Sequence, residues 1–341
     1  MKVSCVTALA TLSLSFLSLR LGAEAQSYTI TDVGVLKGDT FAQAAGVGDA
    51  GKVVGSTSPA PNAAGTAFLW TRQAGMHPLR LPVGFSNSAA WAINDVGDTV
   101  GQAAAPSGYL HAILWKHDGS VIDLGVPKGS TGSTAYDIND LDEVIGWGNT
   151  AFVWKPGEGF HNLGTLPGGS FSVGWRVNLR GEAVGFGDTP SGYDHAFLWI
   201  PNRGMKDLGV LPGGSESEAL GNNNFHQVVG ASDSSLPNLH AVLWTENGNN
   251  IIDLGVLPGF VESGAYAIND AGEVVGDNGY PTGHAFRWTQ NTGMLDLNDL
   301  IPPSSGWVLN VATFVSPEGQ ISGYGTINGQ THGFLLTPTG Q

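Results

Sequence analysis

Five histidines occupy the same place in successive copies of a repeated segment, and each has an aspartate at a matching place. An imidazole oriented by a carboxylate is a common acid-base pair in enzymes. The same pair also satisfies two polar groups where neighbouring strands end. A catalytic pair normally occurs once, whereas this one recurs, so we interpret it as structural. The pairs are His111 with Asp123, His195 with Asp207, His240 with Asp253, His284 with Asp296, and His332 with Asp32.

The pairing of His332 with Asp32 links the two ends of the chain. Two copies have Thr in place of His, and the same two lack Asp: Thr66 goes with Arg80, and Thr150 with Asn162. Positions that change together usually touch. His332 lies in the last copy and has no later aspartate, whereas the N-terminal strand offers Asp32. We therefore expect Tyr28–Gly34 to pair with the last strand and close the array.

Aromatic residues form two further sets. Trp91, Tyr136, Trp175 and Tyr266 occupy one position of the first strand in their copies, and Tyr109, Tyr193 and Tyr280 lie in loops between second and third strands. For the first set, we expect packing between neighbouring sheets, with the lining of a sugar-binding tunnel as the alternative. The loop tyrosines share one rim by strand direction. Exposed tyrosines there suit contact with a carbohydrate or a protein, and simple loop chemistry is the alternative.

Two other patterns suggest cofactors but have simpler explanations. The turns INDVGD, INDLDE and INDAGE bring two acidic groups close together, which is compatible with calcium. Asn, Asp and Gly are also the ordinary residues of tight turns. The segment 46–51 matches GxGxxG, but no helix follows to receive a phosphate. We expect no cofactor, with calcium at the turns as the alternative.

The elements that position these residues form a tandem array. Tryptophans at the end of the third strand recur at intervals of 39 to 45 residues: Trp70, Trp115, Trp154, Trp199, Trp244 and Trp288. A seventh copy has Leu336 in that place. Four short strands in about 45 residues are typical of one propeller blade. The sequence therefore predicts an all-β fold, a seven-bladed β-propeller of four-stranded blades closed by the N-terminal strand, as one domain over residues 26–341.

The N-terminus and the charge indicate the location. Lys2, the apolar stretch Val3–Leu19 and the small-residue site Ala23–Ala25 are typical of a secretory signal over residues 1–25, with an uncleaved anchor as the alternative. Cys5 is the only cysteine, so the mature chain has no thiol chemistry. A net charge of −15 argues against nucleic acid and anionic lipid as partners. We expect a secreted protein without a membrane span in its mature part, the periplasm being the alternative.

The motif HAFLW at residues 195–199, with AIND, GEVVG and DLGVLPGG around it, resembles the HAF family of bacterial extracellular repeat proteins. The resemblance covers Tyr28 to about Pro338. It implies export and a tandem array, and it brings no assigned activity and no catalytic residues. Four copies depart from the signature, at Thr66-Ala67-Phe68, Thr150-Ala151-Phe152, His240-Ala241-Val242 and His332-Gly333-Phe334.

Three functions remain open from the sequence. The first is a secreted, non-enzymatic module that binds an extracellular glycan or protein through the loop-rich rim. The second is a polysaccharide lyase or hydrolase with a site in the central channel. Its acid-base groups would lie outside the repeat, and the candidates are His77, His161, His226, Arg176 and Asp194. The third is a structural component of a matrix or cell surface.

Overall fold

The computed structural model describes residues 27–235, 238–279 and 282–340. The expected signal over residues 1–25 and the candidate contact residue Tyr280 lie outside the described residues. Regular structure in the described part consists of β-strands and three short 3-10 segments, Asp49–Gly51, Leu297–Leu300 and Pro303–Ser305. In this part of the chain no helix is long and apolar enough to cross a membrane.

The strands follow one another closely along the chain. The first fourteen are β1 (Tyr28–Gly34), β2 (Phe41–Gly48), β3 (Lys52–Ser58), β4 (Thr66–Thr71), β5 (Gly75–Pro78), β6 (Ser86–Ile93), β7 (Thr99–Ala104), β8 (Leu110–Trp115), β9 (Val121–Gly125), β10 (Thr134–Ile138), β11 (Val144–Gly148), β12 (Thr150–Lys155), β13 (Gly159–Gly164) and β14 (Ser172–Val177). The others are β15 (Ala183–Asp188), β16 (Asp194–Ile200), β17 (Gly204–Asp207), β18 (Ser217–Asn222), β19 (Val228–Ser232), β20 (His240–Thr245), β21 (Asn250–Gly255), β22 (Gly264–Ile268), β23 (Val274–Asn278), β24 (His284–Thr289), β25 (Gly293–Asp296), β26 (Trp307–Val315), β27 (Ile321–Ile327) and β28 (Gln330–Pro338).

Consecutive strands pair antiparallel in sets of four. Five sets form separate sheets: β6–β9, β10–β13, β14–β17, β18–β21 and β22–β25. The remaining strands form one eight-stranded sheet, which contains the antiparallel sets β2–β5 and β26–β27–β28–β1. A single parallel bridge between Phe41 and Thr331 joins these two sets. Antiparallel neighbours need only short connections, which suits a chain with 51 glycines.

The N-terminal strand completes the last set. β1 runs antiparallel to β28, with Tyr28 opposite Pro338 and Asp32 opposite Phe334. Tyr28 is buried, and burial raises the pKa of its hydroxyl to about 12. The first strands of successive sets contact one another in order along the chain, and β26 also contacts β2. The first and last described strands, β1 and β28, are therefore neighbours within one sheet.

The hairpin turns form as the sequence predicts. Between β22 and β23, the Asn269 side chain accepts a hydrogen bond from the amide of Ala271 at 3.1 Å, and Gly272 adopts a positive φ of 78°. Glycine takes that conformation at no steric cost, so the turn closes tightly.

The hydrophobic core lies between neighbouring sheets. A representative cluster combines Leu114 of β8 with Ile138, Val144 and Phe152 of the next sheet. Phe152 is 1% exposed. Burying a phenylalanine side chain of this kind contributes about 1.5 to 3 kcal/mol. Each sheet is thus stabilised mainly by the sheets beside it.

Candidate functional site

A β-bulge recurs in every first strand of a four-strand set. In β10, Ala135 pairs with Gly146 and Asp137 pairs with Ile145. Tyr136 is therefore an extra residue that has no opposite residue in β11. A bulge of this kind bends the strand and redirects its side chain. The bulged residues are Ala45, Trp91, Tyr136, Trp175, Leu220, Tyr266 and Thr313.

A glycine in each second strand faces the bulge. A Cβ atom on Gly146 would lie 2.0 Å from the carbonyl oxygen of Thr134, two residues before the bulge. No side chain fits at that distance, so the bulge requires glycine there. The equivalent contacts are 1.8 to 2.1 Å at Gly55, Gly101, Gly185, Gly230, Gly276 and Gly323.

The bulged residues all line one cavity of about 670 Å³. The rings of Trp91 and Tyr136 lie 6.2 Å apart between centroids, and those of Tyr136 and Trp175 lie 4.2 Å apart. Together they form an aromatic wall over three neighbouring sheets, and Tyr266 adds a fourth ring from β22. We expected these side chains to fill space between sheets. They do contact across sheets, and they also line a cavity.

Four charged side chains share the cavity: Arg176, Glu218, Glu262 and Asp277. Arg176 Nη1 lies 3.9 Å from Asp137 Oδ1, and its guanidinium carbon lies 5.4 Å from the ring centroid of Phe314. Arg176 also lines a smaller cavity of about 180 Å³, whose other residues include Asp137 and Phe314. Arg176 therefore lies between the two cavities.

Two carboxyl groups at this site have raised pKa values. Burial raises the pKa of Glu218, and the nearby charges of Asp194 and Glu216 raise it further. Burial also raises the pKa of Asp137, against the opposing effect of Arg176. Both carboxyl groups hold a proton more tightly than an exposed carboxyl group does.

The larger cavity reaches the loop-rich rim. Leu239 and Gly279 line it from loops between second and third strands, and Glu262 lines it from a loop before a first strand. The rim tyrosines Tyr109 and Tyr193 are 55% and 46% exposed, but they do not line the cavity. Of the described candidate contact residues, Trp91 and Trp175 therefore belong to the cavity, and Tyr109 and Tyr193 do not.

No protein-family model matches the sequence, and no curated protein does. Solved structures show the same arrangement of sheets. The propeller domain of the Trilobed protease from Pyrococcus furiosus, described as having an open velcro topology, matches with a TM-score of 0.57 at 8% identity, over 88% of this chain and 98% of that one. The chain folds as a β-propeller.

Two further solved structures match with similar scores. A streptogramin B lyase matches with a TM-score of 0.51 at 9% identity, over 91% of this chain and 98% of that one. The extracellular domain of a one-component system from B. thetaiotaomicron matches with a TM-score of 0.53 at 8% identity, over 91% of this chain and 40% of that one. At such identities the similarity concerns the fold alone.

The propeller brings each predicted His and Asp together. The distances from Nδ1 to the carboxylate are 3.0 Å for His111 and Asp123, 2.9 Å for His195 and Asp207, 3.0 Å for His240 and Asp253, 2.5 Å for His284 and Asp296, and 3.0 Å for His332 and Asp32. Asp123 also accepts from the amide of Gly125 at 2.8 Å. Asn162 keeps this second bond with Gly164 at 2.7 Å in a copy without histidine. The pairs join third to fourth strands and lie outside the cavity lining.

The non-repeat candidates for catalysis do not converge. His161 lies 3.0 Å from Glu158, and His226 lies 3.0 Å from Glu182, in separate ion pairs. His77 lies on β5, and Asp194 begins β16. Of the five candidates, only Arg176 lines the larger cavity.

Sequence reasoning missed Glu218, although the repeat contains a signal for it. Glu218 stands two residues before a bulge, where the other copies have uncharged residues: Gln43, Ala89, Thr134, Val173, Gly264 and Val311. A charged residue at one copy of an otherwise neutral position marks a break in the repeat, and breaks are where function is expected.

The acidic turns use their oxygens within the protein. Asn139 Nδ2 donates to Glu143 Oε2 at 2.9 Å and to the carbonyl of Asn178 in the next sheet at 2.9 Å. Asp140 Oδ1 accepts from the amide of Asp95 in the preceding sheet at 2.9 Å. Within the described ranges, no three His, Cys, Asp or Glu side chains are grouped so as to hold a metal ion.

Proposed function

We propose that this chain is a secreted binding protein that holds a glycan in the aromatic-lined central cavity, with the loop-rich rim as its entrance. One observation carries the proposal. Bulges in the first strands direct their side chains into one cavity of about 670 Å³, and four of those side chains are aromatic. That volume lies within the range of about 300 to 1,000 Å³ that small-molecule sites occupy.

The aromatic wall suits a sugar ring. Indole and phenol rings offer flat apolar faces to the C–H faces of a sugar and lose little conformational entropy on binding. Polar side chains in the same lining, such as Gln43, Glu218 and Thr313, offer hydrogen bonds to hydroxyl groups. A few polar groups among apolar walls are typical of specific ligand sites.

We further propose a ring of seven blades closed by the N-terminal strand. The five separate sheets and the two sets within the eight-stranded sheet supply the blades. The pairing of β1 with β28, and the contact of His332 with Asp32 at 3.0 Å, support closure. A closed ring leaves few strand edges open to aggregation and holds the cavity walls rigidly.

Export rests on two expectations from the sequence. The first 25 residues follow the pattern of a secretory signal, and the repeat resembles the HAF family of extracellular proteins. An extracellular or periplasmic protein meets polysaccharide outside the cell, which is consistent with a glycan ligand.

Glycan-array binding of purified residues 26–341, followed by calorimetry, tests the proposal. We expect Trp91→Ala and Trp175→Ala each to weaken binding about tenfold or more, because each removes an aromatic contact in a desolvated site. Tyr109→Ala and Tyr193→Ala are matched controls on the rim and should change affinity less than about threefold. If substitution of the rim tyrosines lowers affinity more than substitution of the tryptophans, the result would contradict binding in the cavity and favour binding on the rim.

A polysaccharide lyase or hydrolase is the second candidate, because Glu218 has a raised pKa and shares the cavity with Arg176. A protonated carboxyl group is a general acid, and a guanidinium stabilises developing negative charge. Product release from acidic and neutral polysaccharides measures this activity. Turnover that is lost in Glu218→Gln while binding persists would favour the enzyme.

A further inference from the structure

The charges around the larger cavity are unbalanced. Its lining contains three carboxyl groups, of Glu218, Glu262 and Asp277, and one cation, Arg176. Asp137, at 3.9 Å, offsets the charge of Arg176 from the side of the smaller cavity. Acidic side chains therefore outnumber basic ones around the volume left for a ligand.

The aromatic wall also favours a positively charged ligand. The faces of Trp and Tyr rings carry negative electrostatic potential and attract ammonium groups within about 6 Å of the ring centroid. Trp91, Tyr136 and Trp175 form one continuous wall, and Tyr266 lines the same cavity. Aromatic rings combined with carboxylates are the usual surroundings of a bound organic cation.

Glu218 is a carboxyl group whose surroundings disfavour its negative charge. Among the described residues it makes no ion pair, and Asp194 and Glu216 lie near it with like charge. Arg176, Glu262 and Asp277 are the other charged residues that line the same cavity, with Tyr266 from the next sheet. Burial and the two like charges raise the pKa of Glu218, and a bound cation would oppose both effects.

We infer that the ligand of this cavity carries a positive charge, as an amino sugar does, and that Glu218 is its counter-ion. This inference rests on the proposed glycan binding and names the class of sugar. It distinguishes an amine-bearing oligosaccharide from the neutral and acidic sugars that an aromatic wall alone would accept.

Two oligosaccharides that differ only in acetylation provide the test. Oligomers of glucosamine and of N-acetylglucosamine, of equal length, are titrated into residues 26–341 by calorimetry at about pH 6, where amines of the α-amino type are protonated. We expect the glucosamine oligomer to bind at least about tenfold more tightly, and its affinity to fall with added salt. The affinity of the acetylated oligomer should be insensitive to salt.

The variant Glu218→Gln locates the effect. It should remove most of the preference for the glucosamine oligomer, measured as the ratio of the two affinities within the same variant. Glu158→Gln is the matched control, since it removes the same charge from a side chain that is 61% exposed and lies outside the cavity lining. If Glu218→Gln does not fold, the salt dependence of glucosamine-oligomer binding by the unmodified protein still tests whether the ligand is held by its charge.

The outcomes separate the two proposals. Equal binding of both oligomers by the unmodified protein would overturn the inference of a cationic ligand and leave glycan binding intact. A preference that persists in Glu218→Gln would overturn the role of Glu218. Binding of no oligosaccharide at all would overturn the proposed function and this inference with it.

Discussion

Removing the side chain of Asn139 should destabilise the propeller strongly. This residue is 5% exposed, and its side chain makes four hydrogen bonds. Nδ2 donates to Asn178 O and Glu143 Oε2, each at 2.9 Å, and Oδ1 accepts from the amides of Leu141 and Glu143, each at 3.0 Å. A buried hydrogen bond contributes about 0.5 to 1.5 kcal/mol, and a buried group left unpaired costs about 1 to 3 kcal/mol. We expect Asn139→Ala to lower the free energy of unfolding by about 3 kcal/mol.

Chemical denaturation with urea, followed by tryptophan fluorescence, measures this loss through the transition midpoint at constant slope. Leu141→Ala is the control in the same turn, because Leu141 is 62% exposed and should change stability by about 0.5 kcal/mol or less. Asn139→Asp keeps the acceptor oxygen but loses the donor to the next sheet. It should also destabilise, because its carboxylate would face Asn178 O and Glu143. A loss in Asn139→Ala no greater than in Leu141→Ala would refute the reasoning.

Three further predictions concern closure, charge and the bulge. Deletion of residues 27–34 should expose the edge of β28 and cause concentration-dependent association in light scattering, so a monomer of unchanged stability would contradict closure by the N-terminal strand. Asp98→Asn should cost about 3 kcal/mol at neutral pH, because Asp98 is 1% exposed and paired with Lys116. Burial alone would raise the pKa of Asp98. The hydrogen bonds that Lys116 and His117 donate to its carboxylate outweigh the effect of burial, so the pKa of Asp98 is lowered. The stabilisation is then present above the ordinary carboxyl pKa and lost as pH falls through the lowered value, so the stabilities of the two proteins should begin to converge below about pH 4 and become equal only below the lowered pKa. Gly146→Ala should destabilise by about 3 kcal/mol or more, since its Cβ would lie 2.0 Å from Thr134 O, and a neutral effect in thermal unfolding would contradict the bulge.

The period, the hairpins and the His and Asp pairs were predictable because each depends on local chemistry repeated along the chain. Asn269 and Gly272 close their turn through bonds within a few residues, so their types alone indicate the turn. The contact of His332 with Asp32 spans 300 residues, yet it followed from comparison among copies. Repeats supply the covariation that an alignment of relatives supplies for other proteins.

The bulges were not predictable, because a bulge is a property of two strands. Tyr136 looks like an ordinary alternating residue in its own strand, and only its unpaired position beside Gly146 shows the extra residue. The inter-sheet bond of Asn139 was missed for the same reason. The turn alone explains why an asparagine stands at position 139. Nothing local indicates its other hydrogen-bond partner, Asn178, which lies 39 residues away in the next sheet. The cavity was harder still to predict from the sequence, since it exists only where several bulges meet.

The bulge separates the residues that pack between sheets from the residues that line the cavity. The residue before each bulge packs between sheets and is small in every copy: Ala44, Ala90, Ala135, Gly174, Ala219, Ala265 and Ala312. The bulged residue itself ranges from Ala45 and Thr313 to Trp91 and Trp175, because its side chain enters the cavity and is not confined between sheets. Substitutions at this position therefore change the cavity wall with little effect on the pairing of strands. The aromatic rings on β6, β10 and β14 are consecutive, so they form a wall on one side of the cavity, and Glu218 on β18 stands at the end of that wall. A ligand that stacks on the wall would thus meet the carboxylate at its edge, which is the arrangement that the comparison of acetylated and free amines examines.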